Sequence, residues 1–331
     1  DLVTREWRDG SGVLWIQELP SLGVETRLIT AKEASRRSRA PDIVMATVVE
    51  SNVKISDPEL VEEALYELWL EANAQEKTEP ALGQSEGRKA GPAGQRSDNR
   101  NADPTALVVH DARQVIEGTT RRGALLRVRR VEPGTWCVRS EGPSGEAAVA
   151  VPPEYLEDNA LIQSHDPDIV AAAEAAVTGS AGDAWSRAQA VSEAVSRIVD
   201  DRGYGTAFAS ASEVLETGAG DCSEHALLAA AMTRALGIPS RVVTGLVHFG
   251  GGFAYHMWLE VWVGEGWYAI DPTLGRGSVD ATHIALGVSS LKDGRVGELS
   301  LPVMRAANRL RLAVVEYVKA GKEFRVPRRG P

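Results

Sequence analysis

Short apolar or β-branched runs separated by turn residues open the chain: Val13–Ile16, Val24–Ile29, Val44–Val49 and Leu125–Val131. Runs of this length and spacing read as strands, so residues 1–152 are expected to form a β-rich N-terminal domain. Glu59–Glu71 reads two ways. Leu60, Val61, Ala64, Leu65, Leu68 and Trp69 fall on one helical stripe, yet Tyr66-Glu67-Leu68-Trp69-Leu70 also suits a strand. The pattern alone leaves both open. Gln75 to Pro104 is rich in Gly, Pro, Ser, Gln and charge, with almost nothing to bury. A disordered loop is therefore expected over about residues 73–104.

The pattern changes at Pro152-Pro153, where alanine-rich helical periodicity begins. Asp166-Pro167 offers an N-cap followed by Pro at the first helical position, and Ile169 to Val177 continues as helix. A longer helix is expected from Asp183 to Val199. A short one follows, with Ser210 and Glu213 spaced as a capping box. Residues 221–237 form the clearest helical pattern. Asp221 and Glu224 make a second capping box, Ala226 to Leu236 are strong helix formers, and Gly237 with Pro239 ends the run. Three strands are then expected: Arg241–His248, Ala254–Val263 and Trp267–Asp271. Glu265-Gly266 is placed as the tight turn between the last two. The fold class is α+β, with helices packed on an antiparallel sheet over residues 153–331 and the β-rich domain before them.

Composition narrows the function classes. The formal net charge of −10 disfavours a nucleic-acid phosphate backbone as the main partner. No apolar run reaches the ~18 residues of a membrane helix, so no integral membrane segment is expected. Nothing in the chain fixes an oligomeric state. With only two cysteines, Cys137 and Cys222, it is not a disulfide scaffold, and no CxxC pair suggests zinc or a redox couple.

The candidate chemistry centres on Cys222. With Asp221 as cap, Cys222 is the first residue of its helix, where partial positive charge and free N–H groups favour a thiolate and a developing oxyanion. Gly218 and Gly220 let the chain approach closely there. His256 is the best base. Strand alternation puts it on one face with Trp258, Glu260 and Trp262. Asp271, at the end of the strand after the hairpin, is the candidate carboxylate to orient the second nitrogen of His256. A simple register offsets the two by two or three residues, which a bulge or stagger would have to close.

Gly220-Asp221-Cys222-Ser223-Glu224-His225-Ala226, Leu236-Gly237-Ile238-Pro239-Ser240-Arg241-Val242-Val243-Thr244-Gly245, His256-Met257-Trp258-Leu259-Glu260 and Trp267-Tyr268-Ala269-Ile270-Asp271-Pro272-Thr273 follow one another in this order. Together they resemble the bacterial branch of the transglutaminase-like superfamily over roughly residues 155–290, and Thr206-Ala207-Phe208 and His283-Ile284 add to the likeness. The resemblance implies a papain-like core with Cys222 as nucleophile, His256 as base and Asp271 as its partner. It implies acyl transfer through a thioester on a peptide bond or glutamine amide, hence a peptidase, deamidase or amine-transfer enzyme with a protein or peptide substrate. It also favours a periplasmic or cell-envelope location. The calcium-site acidic loops of the animal crosslinking enzymes are not seen.

Two rival readings are weighed. One is a non-catalytic protein-interaction module on the same fold, which has no need of all three groups. The other is a mixed tetrahedral metal site from Cys222, His225, His256 and Asp271, whose spacing matches no standard zinc pattern. No cofactor and no metal are therefore expected. His225 is read as a packing residue, Cys137 as a small buried hydrophobe, and His110, His165 and His248 as incidental. Trp258 and Glu260 are read as half-buried sheet positions beside the cleft, and the basic tail Arg325–Arg329 as solvated.

Overall fold

The computed structural model describes residues 5–8, 14–19, 24–27, 48–71, 103–134, 151–180, 182–200, 209–264 and 266–327. Almost all of the loop expected over 73–104 lies outside them, as do residues 44–47, Cys137, Thr206-Ala207-Phe208 and the tail from Arg328 onward.

Three antiparallel sheets are present among the described residues. Strands β1 (Arg5–Arg8), β2 (Leu14–Leu19) and β3 (Val24–Arg27) form the first. The second runs β10 (Gly266–Ile270), β9 (Gly252–Val263), β8 (Ser240–Phe249), β11 (Ile284–Ser289), with β4 (Val49–Glu50) added to β9. The third runs β13 (Lys322–Arg325), β12 (Leu310–Lys319), β5 (Val61–Leu70), β7 (Ala124–Arg129), β6 (Gln114–Thr119). This last sheet takes strands from both sides of residue 152. The helices are α1 (Pro167–Ala176), α2 (Ala184–Ile198), α3 (Ala211–Thr217), α4 (Cys222–Ala235) and α5 (Gly297–Ala306).

The ambiguous segment Glu59–Glu71 is a strand. As β5 it sits between β12 and β7, so its backbone N–H and C=O groups find ladder partners on both edges. Ala64, Tyr66 and Leu68, at alternate positions, are fully or almost fully buried. The helical stripe was a coincidence of a strand rich in apolar residues. The hairpin turn also shifts: Gly266 pairs with Val263, so the turn begins at Gly264, one position earlier than expected. Gly264 supplies the positive φ of 61° that such a turn needs.

One core joins α1–α4 to the second sheet, through residues such as Leu227, Leu228, Met232, Val242, Leu259 and Ile270. A second core joins the second and third sheets through Tyr66, Leu126, Leu246, Phe253, Ile284 and Leu312. The third sheet also grips the segment between β10 and β11 directly. Ala281 donates its N–H to Val61 O at 3.0 Å, and Tyr66 Oη donates to Ala281 O at 2.9 Å. The Gln114 amide bonds both Ala285 O and Ala285 N, at 2.8 and 2.9 Å, as a peptide edge would. Buried Arg113 donates to Asp280 O and His283 O. Each contact gives a backbone group of this segment a protein partner in place of water.

Tyr66→Phe should therefore destabilise the protein by about 1–3 kcal/mol, since it leaves the buried Ala281 carbonyl without its donor. Urea unfolding of the two proteins checks this, and an unchanged midpoint would show that the hydroxyl contributes nothing.

Candidate active site

Helix α4 places the thiol. Asp221 caps it: its Oδ1 accepts the Ser223 N–H at 2.8 Å, while Asp221 N donates to Glu224 Oε2 at 3.0 Å. Both halves of the expected capping box are formed. The helix is buried all round, every residue from Cys222 to Arg234 being inaccessible or nearly so, and its start is correspondingly fixed. Glu224 does more than cap. Its Oε1 accepts the Ala209 N–H, and burial with the adjacent Asp221 pushes its carboxyl up to about 7. Gly220 explains the motif glycine sterically, because a Cβ there would lie 2.3 Å from Glu224 Cβ. Gly218 serves differently, closing α3 with a φ of 62°.

Cys222 and His256 keep 8% and 7% of their surface exposed, and the neighbouring Cys222 favours the charged form of the imidazole. His256 Nε2 is 2.9 Å from Asp271 Oδ2, which leaves Nδ1 as the ring nitrogen not bonded to that carboxylate. The structure thus brings together Cys222, His256 and Asp271. The expected bulge is unnecessary. Ile270 pairs with Leu259 in a regular ladder, so Asp271 follows opposite Trp258, on the same sheet face as His256 and two residues along. Diagonal neighbours of this kind lie within reach of long side chains. Beyond the strand, the Asp271 backbone is tied to Arg276 by two hydrogen bonds of 2.9 and 2.8 Å.

The electrostatics follow from burial and pairing. Burial opposes a charge on His256. The Asp271 carboxylate, its hydrogen bond and the neighbouring Cys222 outweigh it and raise the ring to about 10. Burial likewise opposes ionisation of Asp271, but His256 and His283 overcome it and hold the carboxyl well below the usual carboxylate range.

His283 is the residue that sequence reasoning did not place in the site. It is fully buried, with Nε2 3.2 Å from Asp271 Oδ2 and Nδ1 3.3 Å from Asp280 Oδ1. The Asp280-x-x-His283 spacing next to the strand start was the available signal. Trp258 packs against both histidines, stacked on His256 and edge-on to His283. It is fully buried rather than half-buried, and Glu260, also buried, is paired with Arg241 at 2.6 Å. His225 Nδ1 lies 2.6 Å from Asp221 O in the turn before. His248 Nε2 accepts the Ile55 N–H, His110 reaches Thr105 O, and His165 pairs with Asp158.

The metal-type donors that come together among the described residues are His256, Asp271 and His283, with ligand atoms within 4.8 Å of one another. This differs from the set weighed on the sequence, which included Cys222 and His225. Two of these contacts are already hydrogen bonds through the shared Asp271 oxygen.

Residues 171–272 match the family model of the transglutaminase-like superfamily. This stretch belongs to that superfamily. The transglutaminase-like match runs from α1 to just past β10, so it contains Cys222, His256 and Asp271 and stops short of His283. No curated protein matches the sequence. Among solved structures, a candidate cysteine protease from Cytophaga hutchinsonii is 17% identical, with a TM-score of 0.37 and 62% of each chain covered. The periplasmic domain of TgpA from Pseudomonas aeruginosa is 20% identical, with a TM-score of 0.30, covering 46% of this chain and 55% of that one. Red sea bream transglutaminase is 12% identical, with a TM-score of 0.29, covering 80% of this chain and 55% of that one. The chain spans less than two thirds of each of these proteins. No helix among the described residues is long and apolar enough to cross a membrane.

These shifts set a pH window for stability. Burial disfavours the charged form of Asp280 too, yet His283 and Thr282 lower it to about 2. A depressed carboxylate stabilises fully above its unfolded value of about 4 and loses that contribution as pH falls through the folded one. A raised histidine stabilises fully below about 6.5 and loses that contribution as pH rises, here through about 10. The urea midpoint should fall as pH drops below ~4 and again as it rises above ~6.5, and Glu224, raised to about 7, adds a loss that begins near its ordinary value of about 4.5. In Asp271→Asn the alkaline decline should shrink, because the raised His256 rests on that carboxylate. A midpoint that climbs from pH 7 to 10 would contradict this.

Proposed function

We propose that the protein is a cysteine-dependent acyl-transfer enzyme acting on peptide or glutamine amide bonds through a thioester. The observation that carries this reading is one arrangement: a thiol at the first residue of a capped helix, beside a histidine whose far nitrogen is bonded to a buried carboxylate. His256 takes the proton of Cys222, and the resulting ion pair is favoured by the Asp271 charge behind it. The thiolate attacks the substrate carbonyl carbon. The oxyanion forms against the Cys222 N–H at the start of α4, the Ser223 N–H being held by Asp221, and the helix dipole adds positive potential there. His256 then gives its proton to the departing amine or ammonia, leaving the acyl group on sulfur. Water or a primary amine attacks the thioester, again with His256 as base, and the thiol is restored.

The reaction is read directly by mass spectrometry of a peptide pool incubated with the protein, with and without a primary amine. Cys222→Ala should reduce every product to background while leaving the urea midpoint within about 1 kcal/mol, since the change removes one small buried atom at a helix end. Cleavage would assign a peptidase, glutamine-to-glutamate conversion a deamidase, and amine adducts a transglutaminase. Products that persist in Cys222→Ala would sink the proposal. A pool left unchanged by the wild type would favour the interaction-module reading.

A further inference from the structure

His256 is not the only imidazole on Asp271. The same oxygen, Oδ2, lies 2.9 Å from His256 Nε2 and 3.2 Å from His283 Nε2. The other oxygen, Oδ1, accepts the N–H groups of Thr273 and Leu274 at 3.0 and 3.2 Å. His283 is itself held at its far nitrogen by Asp280, which also accepts from Thr282 N, Thr282 Oγ1 and Arg276. His283, Asp271, Asp280 and Thr282 have no exposed surface. A histidine kept only for packing needs one acceptor on its own segment. This one spans two carboxylates, and one of them is the group that orients His256.

We propose that His283 is a positioning residue of this site: anchored by Asp280, it donates to Asp271 Oδ2 and fixes the carboxylate that aligns His256 with Cys222. The inference rests on the Cys222–His256 reading above. The physical argument is one of saturation. A carboxylate has about four lone-pair sites, and Asp271 fills them with four donors. With His283 in place the carboxylate stays ionised, cannot rotate, and leaves the proton on His256. Without it, Oδ2 holds one donor, and protonation of Asp271 no longer costs a second hydrogen bond. The charged groups around Asp271 are His256 from β9 and His283 from its own segment. Those around His283 are Asp271 and Asp280, with Arg276 paired to Asp280 and Arg113 bonded to the Asp280 and His283 carbonyls. No bond other than a hydrogen bond is made or broken by His283.

The test uses the pH-dependent rate of iodoacetamide attachment to Cys222, followed on the Cys222 peptide by mass spectrometry, and needs no substrate. His283→Ala should slow alkylation at pH 7 about tenfold and move the acid limb of the profile up by about one pH unit, the shift expected when a carboxylate loses a cationic donor. His283→Gln, whose amide can still donate to Oδ2, should recover most of the rate and the acid limb. In a His256→Ala background, His283→Ala should have no further effect, because it acts through His256. Equal losses in the two backgrounds, or a His283→Gln as slow as His283→Ala, would overturn the inference in favour of a purely structural histidine. If His283→Ala does not fold, His283→Gln and Asp280→Asn decide the matter: a wild-type profile in Asp280→Asn overturns the anchoring. A wild-type rate that does not depend on His256 is a separate outcome. It would defeat the Cys222–His256 reading itself and this inference with it.

Discussion

Removing a carboxylate from water costs several kcal/mol unless donors replace its hydration. Asp271 has no exposed surface and receives four hydrogen bonds, two from imidazoles and two from the turn that follows it. Supplying those donors constrains three parts of the chain at once. Strand β9 must present His256 two residues from the position opposite Asp271. The turn at 271–276 must fold back on itself. The segment before β11 must place His283 against the same oxygen. The register of β9 with β10, the Asp271–Arg276 bridge and the Asp280 anchor meet these demands.

The third sheet shares in this arrangement although it lies outside the matched superfamily stretch. Tyr66, Arg113 and Gln114 all reach the backbone of residues 280–285, and the first two bond the carbonyls of Ala281, Asp280 and His283. Strand β12, from the far end of the chain, completes the same sheet beside β5. Segments far apart in the sequence therefore meet behind the segment that carries Asp280 and His283. A backbone clamped by buried hydrogen bonds on one side can hold a side chain to a fraction of an ångström on the other.

Much of the helical half was legible because its signals are local. Asp221 and Glu224 announce a helix start whatever the rest of the chain does, and Cys222 next to the cap follows from adjacency alone. The same holds for Ser210 with Glu213 and for Asp166-Pro167. Alternation around His256 and the hairpin that follows also depend on near neighbours, though the turn was placed one residue late. Glu59–Glu71 was illegible for the opposite reason. An apolar segment bonded on both edges carries no clear period, and only the presence of β12 and β7 makes it a strand.

By itself the sequence determined the capped helix with Cys222 at its start, the antiparallel hairpin carrying His256 and Asp271, and the likeness to one superfamily. Each depends on residues within a turn, a hairpin or a short motif. The tertiary structure alone decided that Asp271 reaches His256 diagonally with no bulge, that His283 shares its oxygen, and that residues from the first half of the chain brace the segment behind it. Those are matters of register and burial between segments far apart in the chain. Distance in sequence says nothing of which buried oxygen two histidines will share, whereas the cost of leaving that oxygen unpaired allows few other arrangements once the sheets have closed.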